Sequence, residues 1–336
     1  MKIGNFDTAF RVMIIAEIGN NHEGSEVVAG EMIDAAAAIG VDAVKFQTFR
    51  AEHYVSQNDA DRYSRLRRFQ LDYDQFSRLA DRAKSHGLIF LSTPFDIGSV
   101  RALEPLVPAF KIASGDNTFY PLLEAVADTH KPVLLSTGFA DLEIVRTAKE
   151  LFQRCWGEQP VNDQLALLHC VSNYPTSPEE ANLSAIATMQ REIGCTVGYS
   201  DHTIGVDAAV LSVAIGARII EKHFTLDKNY SDFRDHAISA DPEDMAELVQ
   251  SIRQAETLLG TGEKKPSESE VATAQLNRRS IVAARDLKAG AKLKLTDITW
   301  VRPGTGLSPG REKEILNRSL KKNVPRGTLL TLVHVE

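Results

Sequence analysis

The sequence has no uninterrupted apolar run near the eighteen or so residues that a membrane span needs. Its first stretch, MKIGNFDTAFRVM, lacks the apolar segment of a secretory leader. No membrane partner and a cytoplasmic location are therefore expected. The three cysteines, Cys155, Cys170 and Cys195, are odd in number and show no paired metal-type spacing. A disulfide scaffold and a structural zinc are both disfavoured. The GxGxxG turn of a dinucleotide-binding sheet is missing as well.

Charge is present but unevenly spread. Lys264 to Glu336 holds 15 Lys/Arg and 7 Asp/Glu, about +8, so a total of −7 leaves about −15 for Met1 to Glu263. The basic tail lacks interleaved aromatics and any nucleic-acid motif, so no nucleic acid partner is expected. Two readings stand: a basic small domain that docks on an acidic large one across a dimer, or two separately solvated surfaces.

From Arg11 onward, short apolar runs alternate with amphipathic helical stretches. VMIIAEIG precedes SEVVAGEMIDAAAAIG, with Ser25 as N-cap and Gly40 as C-cap. VDAVKFQTF is followed by a polar loop and then by helical DYDQFSRLADRAKSHG. The rhythm repeats from LIFLSTPF to ARIIEKHFTLD, giving eight strand–helix units. Strand alternating with helix means a parallel sheet, and eight units in 1–262 predict an α/β fold of (β/α)8 TIM-barrel type. An open doubly wound sheet is the fallback. GTGEKKPSESEVAT reads as a linker, placed at 263–277, and 278–336 reads as a small β-rich domain.

Barrels of this kind carry their sites at the C-terminal strand ends. Here every end is polar: Glu17, Asn20 and His22; Lys45 and Gln47; Ser92 and Thr93; Lys111, Ser114 and Asp116; Ser136 and Thr137; His169, Ser172, Asn173 and Tyr174; Ser200, Asp201 and His202; Glu221 and His223. Lys45, Lys111, Ser114, Ser136 and Ser172 are donors suited to a phosphate and a carboxylate. His202, His223 and Glu17 suit a divalent metal, Mn²⁺ or Mg²⁺. Blander roles compete. His169, beside Cys170 in an apolar run, reads as a core histidine. His22 and Glu23 read as loop-ordering residues. Asp201 orients a neighbour or caps the next helix.

In order, AEIGNNHEGS, VKFQTF, STPFD, KIASGD, LLSTG, LLHCVSNYPT, GYSDHT and EKHFTLD resemble the sialic acid synthase (N-acetylneuraminate synthase) family, which includes the legionaminate and pseudaminate synthases. RSIVAARDLKAGAKLKLTDITWVRPGTG resembles that family's C-terminal SAF, or antifreeze-like, domain of β-clip type. The resemblance implies a transferase of polysaccharide biosynthesis. It would condense phosphoenolpyruvate with an N-acylated hexosamine to a nonulosonate, with C–O cleavage. It implies Glu17 as the active-site acid. Lys45, Lys111, Ser114 and Ser136 would hold phosphoenolpyruvate, and His202 and His223 the metal. Tyr174, Ser200 and Asp235 would line the sugar side. It also implies a domain-swapped homodimer in which Arg302 enters the partner's barrel. Four positions depart from the family. Phe233 and Arg234 replace a Pro-Gly turn, Asp116 stands where many bacterial members have Glu, and Ser172 where some have Asn. These leave the sugar open. Two other classes remain: a Schiff-base aldolase acting through a lysine, and a sugar-binding protein that kept the fold.

Overall fold

Along the apolar run Met13–Gly19 every residue is buried, yet alternate side chains go to different places. Ile14, Ala16 and Ile18 join a large core shared with the helices, whereas Met13 and Ile15 join a second, smaller core. Burial on both faces is the mark of a parallel sheet wrapped by helices. The computed structural model describes residues 1–336. Eight such strands form one parallel sheet: β1 (Met13–Gly19), β2 (Ala43–Thr48), β3 (Ile89–Pro94), β4 (Phe110–Ile112), β5 (Val133–Ser136), β6 (Leu165–Cys170), β7 (Thr196–Asp201) and β8 (Ile219–His223). The spatial order is β3-β2-β1-β8-β7-β6-β5-β4. β1 ladders onto β8, and β3 lies beside β4 across the remaining seam, so the sheet closes as the expected barrel.

The barrel interior is layered. Met13, Ile15, Ala43, Leu91, Leu134, Leu168 and Ile219 fill its lower part, with Ile3 of the N-terminal hairpin packed against them. A Cβ at Gly198 would sit 2.4 Å from the Ile219 carbonyl oxygen and 2.5 Å from Leu168, so this layer has no spare room. One step further along each strand the inward positions turn polar. A polar layer on an apolar plug is where a barrel can hold ligands without losing its core.

The first helix, α1 (Glu26–Ile39), begins and ends as predicted. Ser25 Oγ accepts from the Val28 amide at 3.3 Å, and Gly40 closes the helix at φ 89°. The stretch expected as a polar loop after β2 instead holds α2 (Ala60–Phe69), capped by Asp59. Its sequence, ADRYSRLRRF, gives the core only Leu66 and Phe69, too few to show as an apolar stripe. Both pack with Phe49 and Phe95.

The chain divides into two units, Met1–Gly260 and Thr261–Glu336. Within the stretch expected as linker, Glu268–Asn277 is helical, started by a reciprocal capping box between Ser267 and Glu270. None of its residues is buried, which is why its composition reads as linker. In the second unit Ser280–Ala283 pairs antiparallel with Ile298–Val301 over a core that includes Ile281, Leu293, Ile315 and Leu330. The other predicted strands shrink to isolated bridges, such as Leu287 with Val324 and Leu320 with Val335. Short 3₁₀ turns at Leu295–Asp297 and Leu332–His334 interrupt them. No helix is long and apolar enough to cross a membrane.

Candidate active site

A cavity of about 1250 Å³ opens over the C-terminal strand ends. Many residues singled out from the sequence line it, among them Glu17, Asn20, Lys45, Gln47, Thr93, Lys111, Ser114, Asp116, Ser136, Ser172, Tyr174, Ser200, His202, Glu221, His223 and Asp235. Arg302 lies in the second unit, exposed, just after the strand Ile298–Val301. The polar cluster that ends the first apolar run is thereby explained. β1 continues through Glu17 to Gly19, and Glu17 occupies an inward position in register with Lys45 on one side and His223 on the other.

At the inner end, two lysines and two carboxylates share a buried space. Lys45 Nζ lies 2.7 Å from Glu17 Oε2, 3.0 Å from Thr93 Oγ1 and 3.7 Å from Glu221 Oε2. Lys111 Nζ lies 2.6 Å from Ser136 Oγ and 3.7 Å from Glu221 Oε1. Ser200 Oγ donates to Glu221 Oε1 at 2.8 Å. Burial disfavours every charge here, and the four groups settle it unequally. Burial, aided by repulsion from Glu221 and only partly offset by Lys45, pushes Glu17 up to about 6. Glu221 is just as buried, but Lys111, Lys45 and the Ser200 hydroxyl outweigh burial and hold it below the usual carboxylate range. Burial lowers Lys111, and Glu221 restores only part of the loss. Glu17, which the sequence groups with the two histidines as suited to a divalent metal, is paired here with Lys45 at 2.7 Å and with Gln47 Nε2 at 3.2 Å.

Beside Lys111 the backbone forms a hydroxyl-lined cradle. A Cβ on Gly138 would stand 2.3 Å from Ser172 Oγ and 2.7 Å from Ser114 Oγ, so glycine lets the two hydroxyls close on the backbone here. Ser114 Oγ accepts from the Gly138 amide at 3.1 Å, and Ser172 Oγ is buried with no partner. Asn20 Oδ1, Glu221 Oε2 and His223 Nδ1, in the same cavity, are also buried without a hydrogen bond. Such atoms are costly in a finished core and gather where a ligand completes the set.

His202 and His223 stand together at the cavity wall, ring centroids 5.5 Å apart. Val171 O lies 2.7 Å from His202 Nδ1, which assigns the proton to that nitrogen and leaves Nε2 free. Burial, with His202 and Lys45 nearby, holds His223 far below its ordinary value and so uncharged. No group of three His, Cys, Asp or Glu side chains is assembled here or elsewhere.

Period-2 alternation sends other strand-end residues outward. Asp201 neither caps the next helix nor touches His202. Its Oδ2 lies 2.7 Å from Lys222 Nζ on the outer face, and its Oδ1 accepts from the amide and hydroxyl of Thr203. His169 is a core histidine, bonded to Ala181 O at 2.9 Å and stacked on Tyr199. Ser92 bonds Thr48, Thr137 bonds Leu168 O, and exposed Asn173 bonds Glu180. His22 Nδ1 accepts from the Gly24 amide, so it orders the first loop. Three features had no role assigned from the sequence. Glu221 is the shared counter-ion of both lysines. Cys170 Sγ is 3.5 Å from Ser114 Oγ and 3.7 Å from His202 Nδ1. Arg62, Arg65 and Arg68 of α2 border the mouth.

This fold and site define a barrel synthase with an appended small domain, and the comparisons assign both parts. Residues 32–264 match the NeuB family and residues 278–336 the SAF domain. The chain belongs to the NeuB family. An uncharacterised protein of Methanocaldococcus jannaschii is 46% identical over 312 residues, 92% of this chain and 90% of that protein. The N,N'-diacetyllegionaminic acid synthase of Legionella pneumophila is 42% identical over 337 residues, 96% of this chain and 94% of that protein. The crystal structure of N-acetylneuraminic acid (sialic acid) synthetase from Leptospira borgpetersenii, in complex with citrate, is 36% identical. It matches with a TM-score of 0.75 over 81% of this chain and 94% of that one.

Proposed function

We propose that this protein condenses phosphoenolpyruvate with the open-chain form of an N-acylated hexosamine, giving a nonulosonate and inorganic phosphate. The class, a carbon–carbon bond-forming transferase of the NeuB type, follows from family membership and from the named synthases among its relatives. The observation that carries the reading is the inner end of the cavity. Buried Lys111 sits beside the Ser136 hydroxyl, with the Ser114 and Ser172 hydroxyls gathered against the Gly138 backbone, a set suited to a phosphate ester. Lys45, with Thr93 and Gln47, is left for the carboxylate end.

The pieces give a balanced sequence of steps. C3 of the enol ester attacks the aldehyde carbon, a C–C bond forms, and the aldehyde oxygen takes up a proton. C2 is left cationic. Glu17 and Glu221 lie where such charge is stabilised, and Glu17, with a pKa near 6, can both hold and release a proton. Water adds at C2 and gives up a proton. The C2–O(phosphate) bond then breaks, phosphate leaves with the electron pair, and the hydroxyl on C2 becomes the keto group.

His202 and His223 fit a divalent ion, Mn²⁺ or Mg²⁺: His223 is neutral with an orphaned Nδ1, and His202 Nε2 is free. Water or substrate oxygen would complete the coordination, and a bound ion would supply Lewis-acid polarisation of the aldehyde. Tyr174, Asp235 and Asp116 are proposed for the sugar side. We place the reaction in the cytoplasm and propose a dimer in which Arg302 of each copy serves the partner's cavity. The test is phosphoenolpyruvate carrying ¹⁸O in its C–O–P bridge. Label recovered in phosphate supports this chemistry. Label retained in the sugar product, or a borohydride-trapped lysine imine with pyruvate, refutes it.

A further inference from the structure

Four guanidinium groups border the mouth of the cavity, and the condensation above uses none of them. Arg62, Arg65 and Arg68 recur every third residue on α2 and so share one helical face, and all three border the cavity. None is engaged in an ion pair, whereas Arg67, off that face, pairs with Glu52 at 3.8 Å. The fourth, Arg234, has two contacts within the chain. Its Nε lies 3.2 Å from Asp235 Oδ1, and its guanidinium carbon lies 4.4 Å from the centroid of the Tyr174 ring. The His202 ring lies 4.1 Å from that same centroid, tilted by 31°. Tyr174 thus contacts both the guanidinium and the imidazole.

A lone arginine at a rim is ordinarily a mobile, solvated charge. Arg234 differs in that it lies over Tyr174 and bonds Asp235 through Nε, while neither Nη group bonds within the chain. Phe69 of α2 meets Phe233 edge-on at 5.1 Å, which ties the arginine face to the loop carrying Arg234. At the buried end, by contrast, Lys45 and Lys111 stand beside Glu17 and Glu221 and are assigned to phosphoenolpyruvate. A guanidinium at the exposed end with both Nη groups free suits bidentate recognition of an anion distinct from the groups bound within.

We propose that the mouth, formed by Arg65, Arg68 and Arg234, is a subsite for an anionic substituent on the acceptor. The substituent is a phosphate or a carboxylate at the end of the hexosamine remote from the aldehyde. This rests on the synthase reading. Its test is steady-state phosphate release from phosphoenolpyruvate with three acceptors of one stereochemistry: N-acetylmannosamine, its 6-phosphate, and the corresponding 6-carboxylate. The wild type is expected to show kcat/KM at least tenfold higher for one of the anionic acceptors than for the neutral sugar. The two anionic arms show which group is read. Arg65→Ala/Arg68→Ala and Arg234→Ala should each cut that preference at least tenfold. Arg234→Lys, which keeps the charge but loses the planar fork, should restore only part of it. A wild type that prefers the neutral sugar overturns the proposal. So do variants that lose anionic and neutral activity by one factor, or that raise KM for phosphoenolpyruvate instead. No release with any of the three acceptors but release with 2,4-diacetamido-2,4,6-trideoxymannose overturns this proposal alone, whereas no release with that sugar either overturns the synthase reading itself.

Discussion

Two fully buried lysines on this barrel make a paired experiment. Lys111 points inward and Lys222 outward, with relative exposures of 2% each. Lys111 Nζ has one long ion pair, 3.7 Å to Glu221, and otherwise a hydroxyl and a carbonyl. Its charge is therefore left to bind substrate. Lys222 Nζ is spent: it lies 2.7 Å from Asp201 Oδ2 and also donates to the Thr203 carbonyl. Replacing Lys111 by Met removes the charge-assisted contacts to a phosphate, worth about 1.5–3 kcal/mol each. Loss of about 3 kcal/mol raises KM for phosphoenolpyruvate on the order of a hundredfold. Replacing Lys222 by Met strands a buried Asp201, which costs about 3–5 kcal/mol of stability and lowers Tm by at least about 6 °C. The assay is phosphate release against phosphoenolpyruvate concentration, with thermal unfolding of the same preparations. Lys111→Met should move KM far more than Lys222→Met, and Lys222→Met should move Tm more. Equal KM values for Lys111→Met and wild type would refute the reasoning.

Other outcomes follow from single features. Gly138→Ala places a methyl 2.3 Å from Ser172 Oγ, so KM for phosphoenolpyruvate should rise at least about tenfold with circular dichroism unchanged; unchanged KM would show that the cradle is not used. Glu17 has a folded pKa near 6 against 4.5 unfolded, so the folded state binds the extra proton and stability falls as pH rises through that window. Urea titrations should show this slope between about pH 4.5 and 6 and its loss in Glu17→Gln; an unaltered slope would contradict the burial argument. Mn²⁺ should raise the Tm of the wild type but not of His202→Ala/His223→Ala, and equal shifts would place the ion elsewhere. Mixing Lys111→Ala with Arg302→Ala chains should restore activity if Arg302 serves a partner's cavity, and no recovery would count against that assembly.

The strand–helix rhythm made the barrel legible, because eight apolar runs buried on both faces need helices on one side and a plugged interior on the other. The strand-end residues were legible as a set, but not which would share the cavity. Neighbours on a strand face opposite ways, and barrel closure decides which parity points in. Hence Asp201, adjacent to His202, spends its charge on Lys222 outside, whereas Glu221 becomes the counter-ion of both inner lysines. α2 was hidden for a different reason. Its two core contacts, Leu66 and Phe69, are outnumbered by arginines whose role depends on a loop far away in sequence. Glu17 combined both cases: its polarity at the end of an apolar run marked it, but its pairing with Lys45 emerged only from the register of β1 on β2.

The most direct test is product formation. Wild-type protein with phosphoenolpyruvate, Mn²⁺ and a panel of N-acylated hexosamines should yield one phosphate per nine-carbon 2-keto acid with at least one acceptor. That panel spans N-acetylmannosamine, its 6-phosphate and 2,4-diacetamido-2,4,6-trideoxymannose. Phosphate without the keto acid, or no phosphate across the panel, would contradict the assignment of this cavity to condensation.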